Sequence, residues 1–294
     1  MKLKNREYAV AVSKIEKHTY DIKQINFETI PNGLNFWVAD PFPFEKDGML
    51  YIFGEMYEYT KLKGSIAYTV LTDSGFTKWK KIIEEPYHLS FPNIFIKDNG
   101  IYMCPEARQS GELYLYKCIE FPEKWVKEEV LIKNTNCSDT VFWKDDTGNY
   151  AFTCEWNGLN DHHMNVISFT DRGPVFAPRE NVICLADYYS RPAGKIFYDE
   201  VLQQYISVFQ NCKPQYGSGL VFKEFNLSFP NYTEKMVGMF TPKDIHCDLR
   251  KKFDGVHTFN MSEHYLVIDV IWSRFNFIEK TSRLLRKFIK RGRK

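Results

Sequence analysis

Apolar and polar positions along this chain follow one scheme five times over: a turn-prone start, an apolar strand, an acidic or glycine turn, and a second strand rich in aromatics. The copies read ADPFPFEKDGMLYIFGE from Ala39, FPNIFIKDNGIYMCPE from Phe91, SDTVFWKDDTGNYAFTCE from Ser138, RPAGKIFYDEVLQQYISVFQ from Arg191 and DGVHTFNMSEHYLVID from Asp254. Asp47-Gly48 and Asn99-Gly100 sit between alternating strands, where residues tolerant of positive φ close a tight hairpin; Asp145-Asp146-Thr147-Gly148 does the same with a longer loop. The anchoring aromatics Phe44, Phe95, Phe142, Phe197 and Phe259 fall 51, 47, 55 and 62 residues apart, a period that marks repeated sheet modules. One such sheet alone leaves an apolar face in water, so the modules must pack around an axis. The pattern predicts an all-β, five-bladed β-propeller over residues 1–280, with blade repeats near 39–55, 91–106, 138–155, 191–210 and 254–269.

Composition agrees with one sizeable domain: 294 residues, 44% hydrophobic and 16% aromatic, with no low-complexity segment. The seven cysteines are scattered with no Cys-x-x-Cys pair, the pattern of reduced, buried thiols in a cytoplasmic protein. The first residues lack the apolar run of a signal peptide, and no later run is long enough to span a bilayer. Charge is uneven. The net charge is +2, yet TSRLLRKFIKRGRK at 281–294 carries seven basic residues and no acid, leaving the remainder at −5. On a short C-terminal basic helix, Leu284, Leu285, Phe288 and Ile289 share a stripe flanked by Arg283, Arg286, Lys287, Lys290 and Arg291. This is the pattern of a segment lying on an anionic membrane surface, and it implies peripheral attachment to the inner face of the membrane. A helix packed on the last blade is the alternative. A nucleic-acid partner is not expected, because the acidic body offers no continuing basic track.

Chemistry of several kinds is excluded. There is no glycine-rich phosphate loop and no Gly-x-Ser-x-Gly, and His162-His163 lacks a second ligand pair at metal-site spacing. Carboxylates on repeated strands remain. A closed ring of blades makes a funnel, and the residues that open each inner strand line its mouth: Asp40, Asp139, Arg191, Asp254 and His257. Each alone is also an ordinary turn or cap residue. Acids recur where second strands end, at Glu55, Glu106 and Glu155, with Trp37, Tyr57, Trp143 and Trp156 near them. Carboxylates that bond hydroxyls beside aromatic faces suit a sugar, and two opposed carboxylates can divide acid and base work. The expected catalytic groups are therefore Asp40 as base, Glu106 as acid and Asp139 as a positioning group. Glu55, Arg108, Glu155, Trp156, Arg191, Asp254 and His257 are expected to bind substrate, with Arg108 and Arg191 able to take a phosphate or sugar carboxylate bidentately.

The ordered string ADPFPFEKDGMLYIFGE, KGSIAY, HLSFPNIFIKDNGIYMCPEARQSGELYLYK, FPEKWVKEEVLI, SDTVFW, SRPAGKIF and DGVHTFN resembles the propeller domain at the N-terminus of plant glucosamine inositolphosphorylceramide transferase, over about Phe36 to Asp269. That domain also occurs alone in bacterial surface-polysaccharide clusters. More distantly the chain is similar to the five-bladed propellers of glycoside hydrolase families 43, 32 and 68. Asp40-Pro41 matches their catalytic Asp-Pro, and His257 matches a histidine that in family 43 sits by an axial calcium; Cys104-Pro105-Glu106 reverses their acid motif. The resemblance implies a carbohydrate-active protein: a glycosyltransferase-type enzyme of capsule or O-antigen assembly acting on a sugar or lipid-linked glycan, with a noncatalytic glycan-binding propeller or an intracellular glycoside hydrolase as alternatives. It also implies an axial Ca2+ as the one candidate cofactor.

Overall fold

The computed structural model describes residues 5–156, 162–169, 183–186 and 189–291. Five sheets form the blades of a propeller, antiparallel except where the short strand His246–Cys247 pairs parallel with Asn26–Thr29. Blade one contains Phe36–Lys46, Met49–Glu58, Lys63–Thr72 and the outer strand Lys80–Ile83. Blade two contains Ser90–Lys97, Gly100–Glu106, Glu112–Glu120 and Lys124–Lys133. Blade three contains Cys137–Asp145, Gly148–Trp156, His162–Phe169 and Ile183–Ala186. Blade four contains Phe197–Asp199, Gln204–Asn211, Gly219–Ser228 and Asn231–Phe240.

Blade five is built from both ends of the described chain. Its inner strands are Phe259–Met261 and Tyr265–Arg274, and its outer strands are Asn5–Lys14 and Asn26–Thr29. Asn5–Lys14 pairs antiparallel with Tyr265–Arg274 along its full length, from Asn5 opposite Arg274 to Lys14 opposite Tyr265. This strand reads REYAVAVS, a short apolar run, and Val10 and Ala11 are fully buried. Apolar clusters fill the gaps between blades. One joins Phe42, Phe53, Phe91, Phe152 and Phe209 across blades one to four. A second joins Phe222, Phe240, Phe259 and Ile268 across blades four and five. A third joins Val10, Val38, Ile52 and Val267 across blades five and one. These contacts complete the ring.

The first three inner strands share one irregularity. Their pairing register breaks between Ala39 and Phe42, between Ser90 and Asn93, and between Ser138 and Val141. At each break one non-glycine residue takes a left-handed backbone: Asp40 at φ 50°, Phe91 at 46° and Asp139 at 50°. Such β-bulges bend a strand and re-aim a side chain. Register also corrects one anchor, because Trp143, not Phe142, lies opposite Tyr150 as Phe44 lies opposite Tyr51 and Phe95 opposite Tyr102. Trp143 accordingly packs against Tyr205 at 4.4 Å between blades three and four, beside the Asp145 hairpin. It is therefore away from the funnel.

A helix, Phe277–Arg291, follows the last strand and begins four residues before the expected tail. Its first turn is tied to the propeller: Asn5 Nδ2 donates to Glu279 Oε2 at 2.5 Å, and Asn276 Nδ2 donates to buried Glu7 at 2.9 Å. Among the described residues no helix is long and apolar enough to cross a membrane.

Where inner strands of blades four and five meet, the Phe259 N–H donates to the Ala193 carbonyl at 2.8 Å. A Cβ on the adjacent Gly194 would lie 1.7 Å from the Phe259 oxygen, a backbone atom that cannot yield. Gly194→Ala is therefore expected to destabilise the protein by about 3 kcal/mol. Denaturant unfolding of the two proteins checks this, and an unchanged midpoint would mean that the inner strands are not held so tightly.

Candidate functional site

The three bulges and the matching positions of blades four and five each bring one residue to the axis. In the aligned copies Ala39-Asp40-Pro41, Ser90-Phe91-Pro92, Ser138-Asp139-Thr140, Ser190-Arg191-Pro192 and Val256-His257-Thr258, the central residues are Asp40, Phe91, Asp139, Arg191 and His257. Four carry polar side chains. All four are drawn into two linked charge clusters.

The first cluster is centred on His257. Its Nδ1 lies 2.5 Å from Asp269 Oδ2 and its Nε2 3.6 Å from Asp40 Oδ1, and all three residues are buried. Asp269 also accepts the backbone N–H groups of His257, Thr258 and Asp40 at 2.9, 3.1 and 3.2 Å. Burial disfavours charge on the imidazole, but Asp269 and Asp40 outweigh it and raise His257 to about 9. Asp40 accepts the Phe91 N–H at 3.1 Å and the Thr258 hydroxyl at 2.8 Å. Burial pushes its carboxyl up to about 7 despite the pull of His257. Asp269 is the opposite case. Burial acts to raise it, but the His257 imidazole and the backbone N–H groups of His257 and Asp40 hold it below the usual range.

Arg191 forms the second cluster. Its Nε bonds Asp139, its Nη2 lies 3.4 Å from Glu106 Oε2, and its guanidinium covers the Tyr216 ring at 5.0 Å. Gln210 Nε2 adds a bond to Asp139 at 2.9 Å. Burial raises Asp139 to about 6, with Arg191 opposing and Glu106 reinforcing the shift.

A third pair lies toward the mouth. His88 Nδ1 accepts the Gly64 N–H at 3.0 Å, which leaves Nε2 to face Glu55 Oε1 at 3.1 Å. Burial lowers His88, and Glu55 more than reverses this. An aromatic wall joins the sites: His257 contacts the Tyr8 ring at 5.3 Å, Tyr8 contacts Trp37 at 4.4 Å, and Trp37 stacks on Tyr57 at 4.6 Å. Such a wall beside carboxylates presents an apolar face and hydrogen-bonding groups to one ligand.

The structure thus brings together Asp40, Glu55, Glu106, Asp139, Arg191 and His257. Arg108, half-buried, begins a turn on the same side of blade two, and Glu155, half-buried, ends the second strand of blade three. The Trp156 side chain lies outside the described residues. Asp254 does not join the cluster: its backbone N–H bonds the Ile271 carbonyl, and among the described residues its carboxylate forms no hydrogen bond or ion pair with the others. Sequence reasoning missed Asp269, His88, Gln210 and Tyr8. Only Asp269 had a visible signal, as a lone acid within the apolar run YLVIDVIW.

The Asp40, His257 and Asp269 ligand atoms lie within 4.8 Å of one another. Calcium takes six to eight oxygen donors, whereas this set supplies two carboxylates and one imidazole already bonded to Asp269. As arranged, the groups fit a protonated histidine that neutralises two acids, and do not fit a calcium ion.

A family model described as glucosamine inositolphosphorylceramide transferase 1, N-terminal, matches residues 25–270. The Arabidopsis thaliana protein of that name is 28% identical over 214 residues, covering 67% of this chain and 27% of the relative. The Oryza sativa subsp. indica protein is 37% identical over 213 residues, covering 69% of this chain and 28% of the relative. The chain spans little more than a quarter of the length of these curated relatives. Among solved structures, the catalytic domain of Coprinopsis cinerea GH62 alpha-L-arabinofuranosidase superposes with a TM-score of 0.55 at 11% identity, covering 90% of this chain and 97% of that one. CoXyl43, a GH43 beta-xylosidase/alpha-arabinofuranosidase from a compost microbial metagenome, solved with xylotriose in a calcium-free form, gives 0.55 at 13% identity, covering 83% and 93%. At such identities the likeness establishes the shared five-bladed fold.

The His257 shift has a definite sign in the pH dependence of stability. Its folded value of about 9 exceeds the ordinary 6.5, so its contribution is fully present below about pH 6.5 and is lost as pH rises through about 9. The stability difference between the native chain and His257→Asn should shrink across that window, as read from unfolding midpoints, and added calcium should leave the curve unchanged. A pH-independent difference would remove the charged histidine, and a calcium-dependent one would restore a metal.

Proposed function

The chain belongs to the family of the glucosamine inositolphosphorylceramide transferase 1 N-terminal domain, and from that premise we propose that it is a carbohydrate-active propeller of glycosyltransferase type. Its place is at the cytoplasmic face of the membrane, in surface-glycan assembly. The observation that carries this reading is the Asp40 site: a carboxyl raised to about 7 by burial, set on the axis beside an aromatic wall. A group that titrates near neutrality can take a proton from an acceptor hydroxyl at little cost.

Asp40 is the proposed base. His257 and Asp269 hold it through charge and through the Asp40 N–H. Glu106 and Asp139 flank Arg191 as the second acidic centre. Glu55, Arg108, Glu155 and Arg191 line the funnel as sugar-positioning groups. The name of the relatives supports transfer over hydrolysis, while the propeller neighbours named as glycosidases lend a fold only.

A second reading is a noncatalytic glycan-binding module serving a transferase partner. Two observations favour it. The chain spans only 27–28% of its named relatives, and Glu106 faces Arg191 instead of standing free opposite Asp40.

Incubating the protein with a panel of nucleotide sugars and free or lipid-linked acceptors, and separately with oligosaccharides, distinguishes the readings. A transferase needs the nucleotide sugar, a hydrolase acts without it, and a binding module retains saccharide without turnover. Asp40→Asn is isosteric and should lower transfer by about 10²–10⁴-fold with saccharide binding retained. Full activity in that variant would exclude Asp40 as the base.

A further inference from the structure

The C-terminal helix presents its faces in the reverse of the usual order. The side toward the propeller is polar: Glu279 is buried and bonds Asn5 and Arg283, Arg283 reaches the Tyr57 hydroxyl at 3.5 Å, and Arg286 bonds the Lys61 carbonyl. The side turned away carries Phe277, Leu284, Leu285, Phe288 and Ile289, each at least half exposed. A helix that served only to complete blade five would bury that stripe.

Topology fixes which face of the propeller bears the helix. It leaves the C-terminal end of Tyr265–Arg274, the second strand of blade five. The corresponding ends of blades one, two and three carry Glu55, Glu106 and Glu155. The helix therefore stands on the face where the funnel opens, and the ring series Tyr57, Trp37, Tyr8 and His257 connects Arg283 with the Asp40 cluster. On the same face, the segment entering blade one exposes Leu34 at 92%, beside Asn35, whose carbonyl accepts the Tyr59 N–H. The segment entering blade five exposes Arg250, Lys251 and Lys252.

We infer that this edge of the funnel face docks on an anionic lipid bilayer, with the helix in the interface and Leu34 touching it, so that the funnel opens along the membrane surface. The inference deepens the proposed function, since it specifies an acceptor presented from the bilayer. Lipid is chosen over a second copy of the chain because the stripe is bordered by Lys280 and Lys287, while Glu279, the sole acid of the helix, is buried and paired with Arg283 on the propeller side, a like-charge repulsion for a symmetric pair but a complement to anionic headgroups.

The test is co-sedimentation of the full chain with phosphatidylcholine vesicles containing or lacking phosphatidylglycerol, alongside light scattering without lipid. Binding to the anionic vesicles should fall with salt and fall by at least about tenfold in Leu285→Glu/Phe288→Glu. Leu34→Glu on the funnel face should weaken it several-fold. Val201→Glu, in the exposed 200–203 turn on the opposite face, should leave it unchanged. No binding by the intact chain, equal effects of Leu34→Glu and Val201→Glu, or a lipid-free dimer abolished by Leu285→Glu/Phe288→Glu would each overturn the inference. Saccharide binding measured in solution on the same variants separates the two proposals: its absence with vesicle binding intact defeats the carbohydrate reading alone.

Discussion

Everything on the axis depends on the ten-residue pairing of Asn5–Lys14 with Tyr265–Arg274. It makes the fifth sheet wide enough to pack against both neighbours, and only a closed ring draws the five inner strands to one line. Asp40 and His257, 217 positions apart, meet there at 3.6 Å. The same closure buries Tyr8, the middle of the aromatic wall, and Glu7, which receives both Tyr59 and Asn276. Ring, site and helix root therefore rest on one ladder.

Charge at the axis is arranged in opposed pairs because low dielectric makes an unpaired charge costly. His257 answers Asp269 and Asp40, and Arg191 answers Asp139 and Glu106. Acids outnumber cations in this set. The surplus is expressed as a raised Asp40 rather than as a buried anion, and that is the property general-base chemistry needs. Phe91 occupies the equivalent bulge in blade two yet contributes only its backbone N–H, so one position of the ring acts through the main chain where others act through side chains.

The repeats were legible because hairpin turns and alternating strands are local, and Asp40, Asp139, Arg191 and His257 were legible because they recur at one offset from those strands. What escaped was non-local. Nothing in REYAVAVS announces a partner more than two hundred residues away, and nothing near Tyr87-His88 announces Glu55. Trp143 was misplaced because a bulge shifts strand phase, and a one-residue shift sends a side chain to the other face of the sheet. Asp254 failed for a related reason: it precedes the His257 position by three residues, outside the short stretch that reaches the axis.

The closing ladder also orders events during synthesis. Asn5–Lys14 is made about 250 residues before its partner, roughly 10–50 s at ordinary ribosomal rates. For that interval an apolar strand waits with open edges, the kind of segment that pairs with whatever strand is nearest. The four finished blades cannot shelter it, since its place exists only once Tyr265–Arg274 emerges. Cellular yield of this protein should therefore track protection of the nascent Asn5–Lys14 strand by a holdase more closely than it tracks the stability of the finished ring.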